Sequence, residues 1–286
     1  MGKSRYGLAV VLLPPLVTLI VLFVLPIASM AAYSFWSVDN NYQLVTDPTL
    51  GQYQKVFSSG IYWDTLFNSA AMAFFTTLVC AAIAVPLAWA IVRNFSVRMR
   101  ILLIVGLILP GWISVLIRTY SMLIIIRDEG LVNIALQKLG IIDQPLVILY
   151  TDFAVGLGLL YSYLPFMVLP IYASLEKVDF RLVEAGFDLY ASRFRVLRRI
   201  IIPLAKPGII AGCILVFIPA LGAYITPIML GGGKNLMIGN LISLQFGSSR
   251  NWPFGSAAAL ILMAFVMIAL MFYVRTTTGE KAHRHG

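Results

Sequence analysis

The chain has 286 residues, of which 60% are hydrophobic and 12% charged, and its mean hydropathy is +0.91. Soluble domains run at about 45–50% and 25%, so a water-soluble globular protein is excluded and an integral membrane protein is implied. The net charge of +9 and the pI near 9.7 would suit a nucleic-acid partner, but the distribution of the cations along the chain excludes one.

A helix needs about twenty apolar residues to cross the hydrocarbon core. Six stretches qualify: residues 8–33, 66–92, 101–126, 153–175, 207–230 and 254–274. The runs are continuous rather than alternating, which excludes a transmembrane barrel. Backbone in lipid must be satisfied internally, so the expected fold is all-α with six transmembrane helices in a single domain, 1–286. The first run follows Lys3 and Arg5 but is too long for a signal-peptide core and lacks a cleavage pattern, so it is read as retained. Aromatics gather at the boundaries: Tyr33, Phe35 and Trp36 after the first run, Tyr62 and Trp63 before the second, Trp252 before the sixth. They are read mainly as interfacial anchors.

Pro86, Pro110, Pro165, Pro170 and Pro219 fall inside apolar runs, and each removes a backbone hydrogen bond and kinks its helix. Such breaks suit helices that line a moving path. Arg118 is the one base well inside a span, where charge is costly. It lines a path, touches a partner at the outer mouth, pairs with Asp152 at the start of the fourth span, or snorkels outward. Tyr120, Tyr161, Tyr163 and Tyr224 supply aromatic faces on spans three to five. Cys80 and Cys213 sit in apolar spans as packing residues. His283 and His285, in a polar tail, are read as a solvated end.

Between the fourth and fifth runs lies a hydrophilic segment, 176–206, with seven Lys/Arg and four acids. A membrane protein needs no long, charged, helix-forming segment merely to reverse direction, so the segment reads as a docking surface for a soluble partner. Val183, Phe187, Phe194 and Leu197 mark an intermittent apolar face. One or two short helices along the membrane surface are expected, with Pro203 as their stop. Fifteen Lys/Arg lie on the side that holds both termini and this loop, against five on the other side. The positive-inside bias therefore places both termini in the cytoplasm.

Within this loop Glu184-Ala185-Gly186 is followed at fixed distance by Tyr190, Ile200 and Pro203. This resembles the loop motif of binding-protein-dependent ABC importer permeases: Glu-Ala-Ala, three residues, Gly, nine residues, Ile, one residue, Leu-Pro. Gly186 stands for the second Ala, Tyr190 for the Gly and Ile202 for the Leu. The family's Gly allows a tight turn between two short helices, and Tyr190 departs from it. The resemblance runs over nearly the whole chain and is nearest to spermidine/putrescine permeases, through Pro86-Leu87-Ala88-Trp89, Val115 to Tyr120, Pro207 to Gly212, Gly239-Asn240 and Trp252-Pro253-Phe254-Gly255.

The resemblance implies a type I permease subunit in a bacterial plasma (inner) membrane. It implies three protein partners: a cytoplasmic ATPase dimer gripping the loop at Glu184, Ala185 and Gly186, a second and distinct permease, and an external solute-binding protein. Membrane lipid is the remaining partner. It implies a small solute, a polyamine or a related amine or amino-acid derivative; Ala223 and Ile228 stand where polyamine permeases carry acids. No cofactor is expected on the chain and no enzyme activity. A phosphate-binding loop needs Gly, four residues and Gly-Lys-Ser/Thr, whereas Gly231-Gly232-Gly233-Lys234 runs on to Asn235. ATP and Mg are expected on the partner ATPase. An ion-coupled secondary transporter would carry mid-span acids and an internal repeat, and a passive scaffold would not need broken helices.

Overall fold

The computed structural model describes residues 12–39, 43–179, 181–233 and 236–282, with side chains to residue 271. Lys3, Arg5, the start of the first apolar run, Lys234 and the tail with His283 and His285 lie outside the described residues.

Described in chain order, the helices are α1 Leu12–Ser34, α2 Gly51–Ser58, α3 Gly60–Asn94, α4 Val97–Ile108, α5 Val115–Ile126, α6 Leu131–Lys138, α7 Asp152–Leu175, α8 Arg181–Asp188, α9 Arg193–Leu221, α10 Ile225–Gly231, α11 Ile238–Phe246 and α12 Trp252–Ala282. A short antiparallel pair, β1 Ser37–Val38 with β2 Leu44–Val45, follows α1. Five helices are long and apolar enough to cross a membrane singly, and a bent pair makes a sixth.

That bent pair corrects the expected third span. Residues 101–126 are not one helix. Pro110 has no N–H to offer, the chain tightens to a 3-10 turn over Leu109–Trp112, and Ile113 and Ser114 turn extended. The halves meet at 97°.

The fifth span, expected over 207–230, is displaced at both ends. Its helix begins at Arg193 and ends at Leu221. Gly222 to Tyr224 are unwound, and α10 is separate. Pro203, expected to stop the loop helix, lies inside α9. The turn before it, Leu197–Ile201, widens to a π-helix. The wider turn eases the crowding between a proline ring and the preceding carbonyls, so the helix continues.

The chain divides into two compact units, Met1–Trp63 with Leu241–Gly286, and Asp64–Asn240. In the first, α1 and α2 pack on α12. Tyr62 is fully buried and its hydroxyl donates to the Ala258 carbonyl at 3.1 Å, so it ties helices together rather than anchoring at the interface. Tyr33 meets Trp36 and Trp252 edge-on, and Trp252 meets Phe246.

In the second unit α7 and α9 make the most extensive pairing. Gly208 and Gly212, one turn apart on α9, bring it against α7. A Cβ at 208 would strike the Pro170 carbonyl, and one at 212 would sit 2.6 Å from Met167 Sδ. Small residues at that spacing allow the backbone approach on which helix packing in lipid depends. The resulting core runs from Cys80, Ala84 and Ala88 of α3 through Met167, Ile171 and Leu175 of α7 to Val183 of α8 and Val196, Ile201 and Ala205 of α9. The hydrophilic loop thus shares one apolar core with the spans. A second cluster joins Ile126, Ala154, Leu159 and Leu230.

Candidate functional site

The loop 176–206 is built from the C-terminal end of α7, from α8 and from the first turns of α9. Asp179 Oδ1 accepts the Arg181 N–H at 3.0 Å where α8 begins. The helix then shows two faces. Val183 and Gly186 are buried and Phe187 half-buried, while Leu182, Glu184, Ala185 and Leu189 face out. Leu182 is 52% and Leu189 81% exposed, so α8 presents apolar side chains outward as well as inward.

Of the four residues expected on the apolar face, Val183 and Phe187 turn inward and Leu197 is half-buried. Phe194 is exposed, and Val196 takes its place in the core. The outward row Leu182, Ala185, Leu189 was missed, although its three- and four-residue steps are the pattern of one helix face.

Tyr190 ends α8 in the left-handed region, at φ 57°. Its N–H donates to the Phe187 carbonyl (2.9 Å) and the Ala191 N–H to the Gly186 carbonyl (3.1 Å). These are the two bonds of a Schellman turn, which normally takes glycine at the left-handed position. The turn is therefore made without the glycine. The Tyr190 ring is 96% exposed and offsets none of the strain through contacts within the chain. Tyr190→Gly is expected to stabilise the chain by about 1 kcal/mol, read as a higher thermal midpoint in detergent; a lower midpoint would show that the ring is anchored.

Ser192 then caps α9, its Oγ accepting the Arg195 N–H at 3.3 Å. The motif's spacing has a direct structural meaning. A Cβ on Gly186 would lie 2.8 Å from Ile200 Cδ1, so Ile200, half-buried, packs over the α8 corner. Pro203 is exposed on α9. Gly186, Tyr190 and Ile200 build the corner, and Glu184 and Ala185 are what it presents.

The residues expected along a path are not gathered. Arg118, in the first turn of α5, is 7% exposed, and its Nε and Nη1 have no acceptor among the described residues. Tyr163, on α7, donates its hydroxyl to the Pro219 carbonyl at 3.1 Å. Arg118 does not pair with Asp152 among the described residues. Asp152 instead lines a cavity of about 560 Å³ with Thr65, Asn68 and Met237. Tyr161 lies two residues from Tyr163, about 200° round the helix, and is exposed, as are Tyr120 and Tyr224.

The unwound stretch after α9 is clamped, and the clamp was missed as a device. The Asn240 side chain, fully buried, donates to the Tyr224 carbonyl at 2.6 Å and accepts from Met237 N at 3.0 Å. A Cβ on Gly239 would strike the Gly222 carbonyl and come within 2.8 Å of that of Ala223. The dipeptide Gly239-Asn240 was the available signal.

Compared with known proteins, residues 4–277 match the family model described as binding-protein-dependent transport system inner membrane component. The chain is similar to the spermidine/putrescine transport system permease protein PotB of Escherichia coli (strain K12), at 41% identity over 259 residues, 90% of this chain and 94% of that protein. It is similar to PotB of Haemophilus influenzae at 38% over 257 residues, 90% and 89%. Among solved structures, a bacterial ABC transporter that imports the acidic polysaccharide alginate superposes with a TM-score of 0.74 at 16% identity, over 96% of each chain.

Proposed function

This chain belongs to the family of binding-protein-dependent transport system inner membrane components and is a multi-pass permease subunit of an ABC importer, and on that premise we propose that it passes a polyamine such as spermidine or putrescine to the cytoplasm. The solute is delivered by an external binding protein, and the path is completed by a second, distinct permease. The identity to the PotB proteins over nine-tenths of the chain supports the solute class. Both termini and the loop between α7 and α9 are cytoplasmic, in line with the charge bias. The chain acts as one permease domain, 1–286, and hydrolyses no ATP. A partner ATPase dimer binds ATP and Mg and moves the loop.

The observation that carries this reading is the α8 corner. It rests on the same core as the spans, yet it turns Leu182, Glu184, Ala185, Leu189 and a strained Tyr190 outward. Strain at an exposed residue points to a contact made by a partner. Within the family resemblance that partner is the ATPase, with Glu184 and Ala185 at its groove; Gly186, expected there too, is buried against Ile200 and sets the geometry with Tyr190, Ile200 and Pro203. Arg118 and Tyr163 border the unwound end of α9, beside the path, while Tyr120, Asp152, Tyr161 and Tyr224 are assigned to its outer approaches.

The test is reconstitution in liposomes. With its ATPase, second permease and binding protein, the chain is expected to support uptake of labelled spermidine or putrescine and ATP hydrolysis stimulated by the loaded binding protein. The chain alone is expected to hydrolyse none. A complete complex that hydrolyses ATP but ignores polyamines would overturn the solute; failure to associate with any ATPase would overturn the subunit's role.

A further inference from the structure

A second cavity, of about 530 Å³, opens between the end of α3 and the α8–α9 corner. Trp89, Arg93 and Asn94 of α3, Phe187 of α8, and Arg193 and Phe194 of α9 supply its distinctive chemistry, and no carboxylate lines it. The Arg93 guanidinium carbon stands 5.1 Å from the Phe187 ring centroid and 5.8 Å from that of Trp89. A guanidinium carries five N–H donors in a planar fork that fits a phosphate bidentately. Neither Arg93 nor Arg193 has an acid partner among the described residues.

The two arginines also share a level. Arg93 lies in the last turn of one membrane-crossing helix and Arg193 opens another. Both helix ends meet the same loop, so the cavity lies at one membrane–water boundary. On the orientation proposed above, that boundary is the cytoplasmic headgroup layer. A basic pocket between helices on that side suits an anionic lipid head, and the rings beside the arginines suit its glycerol and upper acyl chain.

We propose that this cavity seats the phosphate head of an anionic phospholipid from the cytoplasmic leaflet, with Arg93 and Arg193 as its ligands. The proposal rests on the cytoplasmic placement of the loop. Because Phe187 belongs to α8, a lipid held there braces the docking corner from behind and makes its stiffness depend on lipid composition.

The whole importer, in nanodiscs of phosphatidylglycerol and phosphatidylcholine, is exchanged into detergent, and retained lipid is counted by native mass spectrometry. Wild type is expected to keep phosphatidylglycerol selectively. Arg93→Gln and Arg193→Gln are each expected to weaken retention about fivefold, and Arg181→Gln, on exposed α8 surface, to leave it unchanged. Equal loss with Arg181→Gln would reduce the site to diffuse surface attraction and overturn it. Unchanged retention in the Arg93/Arg193 double variant would overturn it as well. Displacement of the lipid by inorganic phosphate would reassign the cavity to a soluble phosphate, and loss of the ATPase with lipid unchanged would assign it to protein contact; either overturns the lipid. Orientation is read separately, by labelling Ser192→Cys with a membrane-impermeant maleimide. Labelling from the outside would remove the premise, whatever the lipid count.

Discussion

Gly208→Leu is expected to leave no folded protein in the membrane. At this position α9 crosses α7 with backbone against backbone. A Cβ would strike the Pro170 carbonyl, lie 2.5 Å from Ser174 Oγ and 2.8 Å from Ile171 Cα. Two of these three atoms are backbone and cannot swing away. Overpacking a close-packed core costs typically about 1–3 kcal/mol, and more where backbone must shift, so Gly208→Ala alone is expected to lower stability by about that much. A leucine, with three more carbons to place against the same backbone, takes up most or all of the margin of about 5–15 kcal/mol on which folded domains rest. Gly212→Ala is expected to cost less, because its nearest neighbour, Met167 Sδ, ends a flexible side chain. Gly106→Leu is the control, since nothing lies within 4 Å of a Cβ there. The measurement is the monodisperse yield on size exclusion, with thermal midpoints for the alanine variants. A Gly208→Leu protein that elutes and melts like wild type would show that the α7–α9 crossing is not close-packed.

Glu184→Lys is expected to uncouple the importer while leaving the subunit folded. The Glu184 side chain is exposed and has no hydrogen-bond or ion-pair partner among the described residues. Its replacement therefore removes nothing that holds α8 in place. If the carboxylate is buried in a charged contact on the ATPase, reversal of its sign costs about 2–5 kcal/mol of association. Copurified ATPase and polyamine uptake should fall together, with the thermal midpoint of the isolated chain unchanged. Full retention of the ATPase and normal uptake would remove Glu184 from the interface.

Run length located the spans because lipid allows only helices with satisfied backbones: among the described residues each apolar run overlaps a long helix or, for the third, a bent pair, although the fifth is displaced at both ends. The breaks were harder to read. Pro110 produces a near right-angled bend, whereas Pro86, Pro165 and Pro170 leave their helices continuous. The difference lies in what surrounds each proline, which the local residues do not encode. Pro203 misled for a related reason: proline usually ends a surface helix, but a π-turn made in advance lets the helix pass. Motif spacing carried more. Gly186, Tyr190 and Ile200 stand in one corner, and the left-handed turn occurs at the position where the pattern has glycine. The path residues were legible only as types. In an all-apolar helix the residues facing lipid and protein differ little, so Tyr161 and Tyr163 read alike yet point apart.

Helix α9 has one further consequence. It runs as one helix, with a π-turn at Leu197–Ile201, from Arg193 beside the loop corner to Leu221 at the unwound stretch, 29 residues in all, or about 43 Å of helix. Gly186 and Ile200 lock its base to α8. A tilt of about 5° imposed at that base would carry the far tip about 4 Å sideways for a rod of this length. Pushing on the corner is thus pushing on one end of the element whose other end is the unwound stretch, Gly222 to Tyr224.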